Sequence, residues 1–332
     1  MLGALMTVLA VLAAAGGWIV YQNSYDLRER QVTIPGGAQP LNGVLALPKD
    51  SVGPFGLVVF IHGDGPIDAT HESFYRPMWE SFARAGYASL SWNKPGVAGA
   101  PGNWLDQSMD DRATEAIAAI AWARTRPEID PQRIGLWGAS QAGWVLPKVV
   151  NRDPLLRFMI AVSPAVNWLQ QGRYNTIAEL HADHADQARI DAALADRERR
   201  LRLLRAGATF EQADATGELP PDMTPDRWRF AQKNYLADAS ADLAETHIPT
   251  LLILADHDIN VDIADTETTY RRLIPDPALL HVQHYPDATH SLIRKDIETS
   301  TMKTTIVAIV APRSLFTAGF LANQRSYLEQ FR

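Results

Sequence analysis

A serine set at a tight strand-to-helix turn constrains this chain more than any other feature. Gly138-Ala139-Ser140-Gln141-Ala142-Gly143 follows the apolar run Ile134-Gly135-Leu136-Trp137 and opens the helix-like run Trp144-Val145-Leu146-Pro147-Lys148-Val149-Val150. Such a turn holds its serine in a strained backbone conformation and lifts the hydroxyl above the sheet. Strand and helix crowd together around it, so the positions two before and two after must be small. Gly138 meets that need fully, and Ala142 meets it with one methyl to spare, where glycine is usual.

A serine hydroxyl is a poor nucleophile near neutral pH. It needs an imidazole base, and the imidazole needs a carboxylate to fix its tautomer. In chain order the acid follows the serine and the histidine comes last. The buried-type strand Pro249–Leu254 leads into Ala255-Asp256-His257-Asp258-Ile259-Asn260-Val261-Asp262. Asp258 is the expected acid, framed by Ala255 three before and Val261 three after. Asp256 is the runner-up and Asp262 the third choice. The alternating strand Leu280–Tyr285 then leads into Pro286-Asp287-Ala288-Thr289-His290, which puts His290 where the base belongs. His281 and His284 lie inside that strand and read as structural.

The developing oxyanion needs two backbone N–H donors. One is expected from Gln141, the residue after the serine, and the other from Asp64. The second sits in the loop His62-Gly63-Asp64-Gly65-Pro66, which ends the buried-type strand Gly56–Ile61. A carboxylate so near an oxyanion would oppose the reaction, so the Asp64 side chain should point away or meet a cation.

The chain resembles the α/β-hydrolase superfamily, and most of all bacterial serine esterases related to dienelactone hydrolases and prolyl-oligopeptidase-like hydrolases. The resemblance rests on the loop His62–Pro66, the turn Trp92-Asn93-Lys94-Pro95-Gly96-Val97, the approach Arg126–Gly138 and the run Ser140–Trp144. It covers about 30–164 and from about 245 to the end. Asp64, Asn93 and Ala142 depart from its usual serine, aspartate and glycine. The resemblance implies hydrolysis of esters, thioesters or amides with no metal and no cofactor.

Around these motifs, apolar strand-like and helix-like runs alternate. That pattern predicts an α/β fold with a mainly parallel central sheet, helices on both faces, and ligands bound beyond the strands' carboxyl ends. Gln31–Pro35 and Leu41–Leu47 form an opening hairpin around Gly36-Gly37, and Ser108 with Asp111 forms a helix capping box. The core is expected over 30–164 and 241–332. Residues 165–240 are polar and helix-like and read as an inserted helical cap. Trp104, Trp144 and Trp168 are candidates to line an acyl pocket.

With 332 residues the chain can bury a core without staples, and with no cysteine it holds neither disulfide nor thiolate site. A net charge of -7 argues against nucleic acid as a partner. Leu2 to Tyr21 carries no charge and is long enough to span a bilayer, so residues 1–22 are expected to be a membrane anchor or signal segment. Arg28 and Arg30 just beyond it would favour the domain inside. The expectation taken is an exported or membrane-anchored domain of the bacterial periplasm or cell envelope. The function expected is cleavage of a small-molecule acyl ester through Ser140, Asp258 and His290. Thioesterase, acyltransferase, aminopeptidase or haloperoxidase activity on the same triad and a non-catalytic receptor are the alternatives, and the oligomeric state is left open.

Overall fold

Strands that must bury both faces are near-continuous apolar runs, and the middle of this chain is built from them. The computed structural model describes residues 13–332. Its strands are β1 (Leu27–Ile34), β2 (Leu41–Pro48), β3 (Phe55–Ile61), β4 (Tyr87–Trp92), β5 (Ile129–Ala139), β6 (Met159–Val162), β7 (Thr250–His257) and β8 (Leu280–Thr289). They form one sheet in the order β1-β2-β4-β3-β5-β6-β7-β8. β2 runs antiparallel to β1 and β4, and every other neighbouring pair is parallel.

The helices are α1 (13–22), α2 (Arg76–Arg84), α3 (Met109–Arg124), α4 (Leu146–Arg152), α5 (Trp168–Ala182), α6 (Gln187–Arg205), α7 (Phe210–Asp214), α8 (Pro225–Asn234), α9 (Ser240–Ala244), α10 (Ile263–Leu273), α11 (Lys295–Glu298), α12 (Thr301–Val310) and α13 (Phe320–Leu328). Alternation along the strands divides the core between the two faces. Leu57, Val59 and Ile61 of β3 pack with Ala116 and Ile120 of α3 and Leu146 and Val149 of α4. Val58 and Phe60 pack on the other face with Met78, Trp79 and Phe82 of α2 and Phe320 of α13. The Ser108–Asp111 capping box starts α3 as expected.

Several boundaries differ from the sequence reading, two of them with a plain physical cause. The run Phe74–Arg84 is helix-like in sequence, yet its helix begins only at Arg76, because His71, Glu72 and Ser73 all adopt positive φ (50°, 51° and 79°). The last strand does not stop at Tyr285. β8 is the edge strand, where a proline costs no ladder bond, so it carries Pro286 through an irregularity in register and continues to Thr289.

Helices α5 to α8 lie within the stretch expected as a cap and hold a small apolar core of their own, Leu201, Leu204, Ala213 and Trp228. Of the expected anchor or signal segment, residues 1–12 lie outside the described residues. Among the described residues no helix is long and apolar enough to cross a membrane.

Candidate active site

Three strand ends and one loop meet at the carboxyl edge of the sheet. Ser140 follows β5 directly and takes φ +56°, a left-handed conformation that side chains other than glycine adopt at a cost. The packing around it shows why small residues flank it. A Cβ added to Gly138 would lie 2.7 Å from the Ala142 Cβ, and one on Gly143 would lie 2.3 Å from the Ala165 carbonyl oxygen.

Asp258 follows β7 with its side chain fully enclosed. Its Oδ1 accepts from the N–H groups of Asn260 (2.8 Å) and Val261 (2.9 Å), and its Oδ2 lies 2.7 Å from His290 Nδ1. A carboxylate only accepts, so Nδ1 donates and Nε2 is left unprotonated, able to accept a proton. Asp256 is engaged elsewhere, 2.9 Å from His284 Nδ1, and Glu267 holds the other nitrogen of that ring at 2.8 Å. Asp262 caps α10.

Ser140 and His290 line one cavity of about 260 Å³, walled by Ile67, Phe74, Tyr75, Met78, Trp137 and Val162, among others. Among the described residues no hydrogen bond joins the Ser140 hydroxyl to His290. Contacts of this kind commonly tighten only when substrate is bound.

The loop after β3 is organised by cations. Lys94 is buried, and its Nζ donates to the Gly63 carbonyl at 2.5 Å and the Gly65 carbonyl at 2.9 Å. C=O and N–H of a trans peptide point in opposite directions, so drawing the Gly63 oxygen toward Lys94 turns the Asp64 N–H the other way. Gly63 itself packs beside Ser140, whose Cβ would lie 3.5 Å from a Cβ added there. Burial pushes the Lys94 ammonium well below its ordinary value, Arg112 repels it further, and Asp64 pulls it back. Arg112, also buried, donates to the His62 carbonyl and to Gln141 Oε1.

Gln141 Nε2 donates to Asp64 Oδ1 at 2.8 Å, and Arg227 of α8 grips both carboxylate oxygens at 3.1 and 2.7 Å. Burial alone would raise the Asp64 pKa, but these Arg227 contacts outweigh it and hold the group below the usual carboxylate value. Asp64 therefore meets a cation, and that cation comes from the helices inserted over the site.

The three tryptophans do not line this cavity. Trp144 is buried, donates to the Val166 carbonyl, and stacks on Trp168 with ring centroids 5.1 Å apart. Trp104 lies under Lys94 Nζ at 4.7 Å and against Phe230. All three pack the junction between sheet and inserted helices, as their large apolar area favours. Lys94, Arg112 and Arg227 were missed as site residues. Their partners are 29 to 163 positions away, so no local pattern carries them, although Lys94 lies in one of the motifs quoted above.

A family model described as X-Pro dipeptidyl-peptidase (S15 family) matches residues 24–285. The thiohydrolase apmlB of Arthrinium phaeospermum is 28% identical over 92 residues, a stretch that is 27% of this chain and only 30% of that protein. Among solved structures, the esterase Pf2001 of Pyrococcus furiosus is similar with a TM-score of 0.57 and 15% identity, covering 92% of this chain and 90% of its own. The esterase of Pyrobaculum calidifontis gives 0.56 and 14%, covering 96% and 88%. A dienelactone hydrolase from Anabaena variabilis gives 0.51 and 15%, covering 92% and 97%. These likenesses show the fold, which is the α/β-hydrolase fold.

Proposed function

The chain belongs to the X-Pro dipeptidyl-peptidase (S15) family of hydrolases, and we propose that it cleaves apolar carboxylic esters or related acyl compounds through Ser140, His290 and Asp258. Ser140 Oγ attacks the acyl carbon while His290 Nε2 takes its proton. Asp258 holds the other ring nitrogen and stabilises the imidazolium. The backbone N–H groups of Asp64 and Gln141 receive the oxyanion. His290 returns the proton to the leaving oxygen, and water attacks the acyl-enzyme by the same route in reverse.

The observation that carries this reading is the pairing of His290 with the enclosed Asp258 at 2.7 Å, in the same cavity as a serine held at φ +56°. The lining favours an acyl group over a peptide with a free amino terminus. An ammonium group needs a carboxylate to receive it. Among the described residues Asp64 is the sole carboxylate on the lining, and Arg227 already neutralises it.

A panel of nitrophenyl esters, acyl thioesters and aminoacyl amides tests the reading, with fluorophosphonate labelling alongside. Esters should turn over, and Ser140→Ala should lower turnover by roughly 10⁴-fold or more. Near-native turnover by that variant removes Ser140 from the mechanism. Preference for aminoacyl amides would instead make the protein a peptidase.

We also propose that the apolar N-terminal run holds the domain at a membrane. At its described end Trp18 and Tyr21 are exposed, aromatic types that favour the headgroup region. A chain lacking residues 1–22 should leave the membrane fraction, and retention there would exclude this.

A further inference from the structure

Next to the cavity that Ser140 lines lies a second one of about 320 Å³. The two share His71, Phe74 and Ser291 as lining. The partition between them is aromatic. Phe74 faces both, Phe316 lines the second, and Phe320 lines the first. Their rings are in contact in series, with centroids 4.9 Å apart for Phe74 and Phe316 and 5.4 Å for Phe316 and Phe320.

The second cavity has an apolar floor of buried Pro77, Ile293, Pro312, Leu315 and Phe316, and α12 adds Ala308. Its exposed lining residues include the polar Asn23 and Glu72. The shared wall is carried by the strained segment His71-Glu72-Ser73, three consecutive residues at positive φ. The His71 Nδ1 is buried there with no hydrogen-bond partner among the described residues. Strain and an unpaired polar atom gathered at one wall are held against the chain's own preference, as happens at functional positions.

The geometry points to a single acyl-chain tunnel. The acyl carbon sits at Ser140, the first methylenes fill the nearer cavity, and the distal chain passes Phe74 into the chamber against α12. The occupant is the chain of a long unbranched carboxylic ester or thioester. The acyl half stays on Ser140 through both steps of the reaction, whereas the leaving group must escape to solvent after the first, so the acyl half is the one that gains from an enclosed apolar path. This inference rests on the proposed acyl hydrolysis and names its substrate class.

The test is Ala308→Trp, which fills the far chamber from a partly exposed helix position remote from Ser140, with Thr304→Trp as a second plug. Nitrophenyl acetate, butyrate, laurate and palmitate are compared as substrates. Wild type should favour laurate over acetate in kcat/KM by roughly tenfold or more, because each buried methylene adds favourable transfer energy. Either plug should lower kcat/KM for laurate and palmitate by roughly tenfold while leaving acetate and butyrate, whose chains stay in the nearer cavity, unchanged. Equal loss on acetate and laurate, no gain with acyl length in wild type, or a gain that follows alkyl length in a series of alkyl acetates each overturns the tunnel.

Binding of cis-parinaric acid, read by fluorescence in wild type and in the plugged variants, separates this inference from the proposed reaction. Binding that the plugs abolish supports the tunnel even where no ester turns over, an outcome that would sink only the reaction. No binding to wild type sinks the tunnel itself.

Discussion

Asp258 and His290 are joined by a 2.7 Å contact between a fully enclosed carboxylate and a ring nitrogen. The other carboxylate oxygen is held by two backbone N–H groups, so the acid cannot swing away and the imidazole is restricted to one tautomer. Asp258→Asn keeps the shape but reverses the donor, and should lower kcat by about 10⁴-fold with esters. Asp256→Asn breaks only the contact with His284 and should leave kcat close to wild type. Steady-state kinetics on the two variants decides between them, and a larger loss at Asp256 would reassign the acid.

Lys94 anchors the loop proposed to present the second oxyanion donor. Lys94→Met keeps the apolar stem and removes the ammonium that holds the Gly63 and Gly65 carbonyls. The freed peptide can rotate its N–H away from the developing charge. Removing such a donor outright costs about 10²–10³ in kcat, so loosening it should cost roughly 10–100-fold. KM should change little, because the contact strengthens only as charge develops. A variant that stays folded with unchanged kcat would show that Lys94 serves packing alone.

His62 predicts a pH dependence of stability. Its ring is enclosed between the Trp92 carbonyl, 2.6 Å from Nε2, and the Tyr75 hydroxyl, 3.0 Å from Nδ1. Trp92 can only accept, so Nε2 carries the proton and Nδ1 accepts. Burial, with Lys94 adding repulsion, holds the pKa well below the ordinary histidine value. The unfolded chain takes up a proton near pH 6.5 that the folded chain refuses. Stability is therefore full above about pH 6.5 and falls as pH drops toward the depressed folded value, by up to about 1.4 kcal/mol per pH unit for one proton. His62→Gln should be less stable overall but should lose that slope between about pH 6.5 and 5, read from urea unfolding at each pH. Parallel curves for the two proteins would show that His62 is protonated in the fold.

What the sequence revealed and what it hid follow the reach of each interaction. The Ser140 turn, the Ser108 capping box and the Asp258 and His290 loops are set by residues a few positions apart, where glycine, small side chains and caps leave a local pattern. The end of β8 was misjudged because Pro286 normally breaks a strand, and only its edge position lets it stay. The late start of α2 follows from the positive φ run at His71–Ser73, which no glycine announces. The Arg227 grip on Asp64 spans 163 positions and is visible only once the inserted helices are folded over the sheet. Tryptophans were misplaced for the same reason, since their size marks them for burial without saying against what.

The sharpest consequence of the turn lies in the pair Gly138 and Ala142. A methyl added at Gly138 would meet the Ala142 Cβ at 2.7 Å, the Ile61 carbonyl oxygen at 3.1 Å and Leu146 Cδ1 at 3.2 Å. The Ala142 methyl is fixed to a backbone locked between β5 and α4, so it cannot turn aside as a longer side chain would. Gly138→Ala should therefore cost about 1–3 kcal/mol, as overpacking does, and should lower activity by shifting Ser140. Ala142→Gly alone removes a buried methyl and should cost less. In the double variant the methyl at 138 takes the space vacated at 142, so part of the first loss should return, leaving only the tighter fit against Ile61 and Leu146. Urea unfolding of all four proteins gives the coupling energy, expected at roughly 0.5–3 kcal/mol for residues in contact. Additive losses would mean that the turn accommodates the new methyl by moving α4 as a body, and that the close approach of strand and helix is not what selects small residues around Ser140.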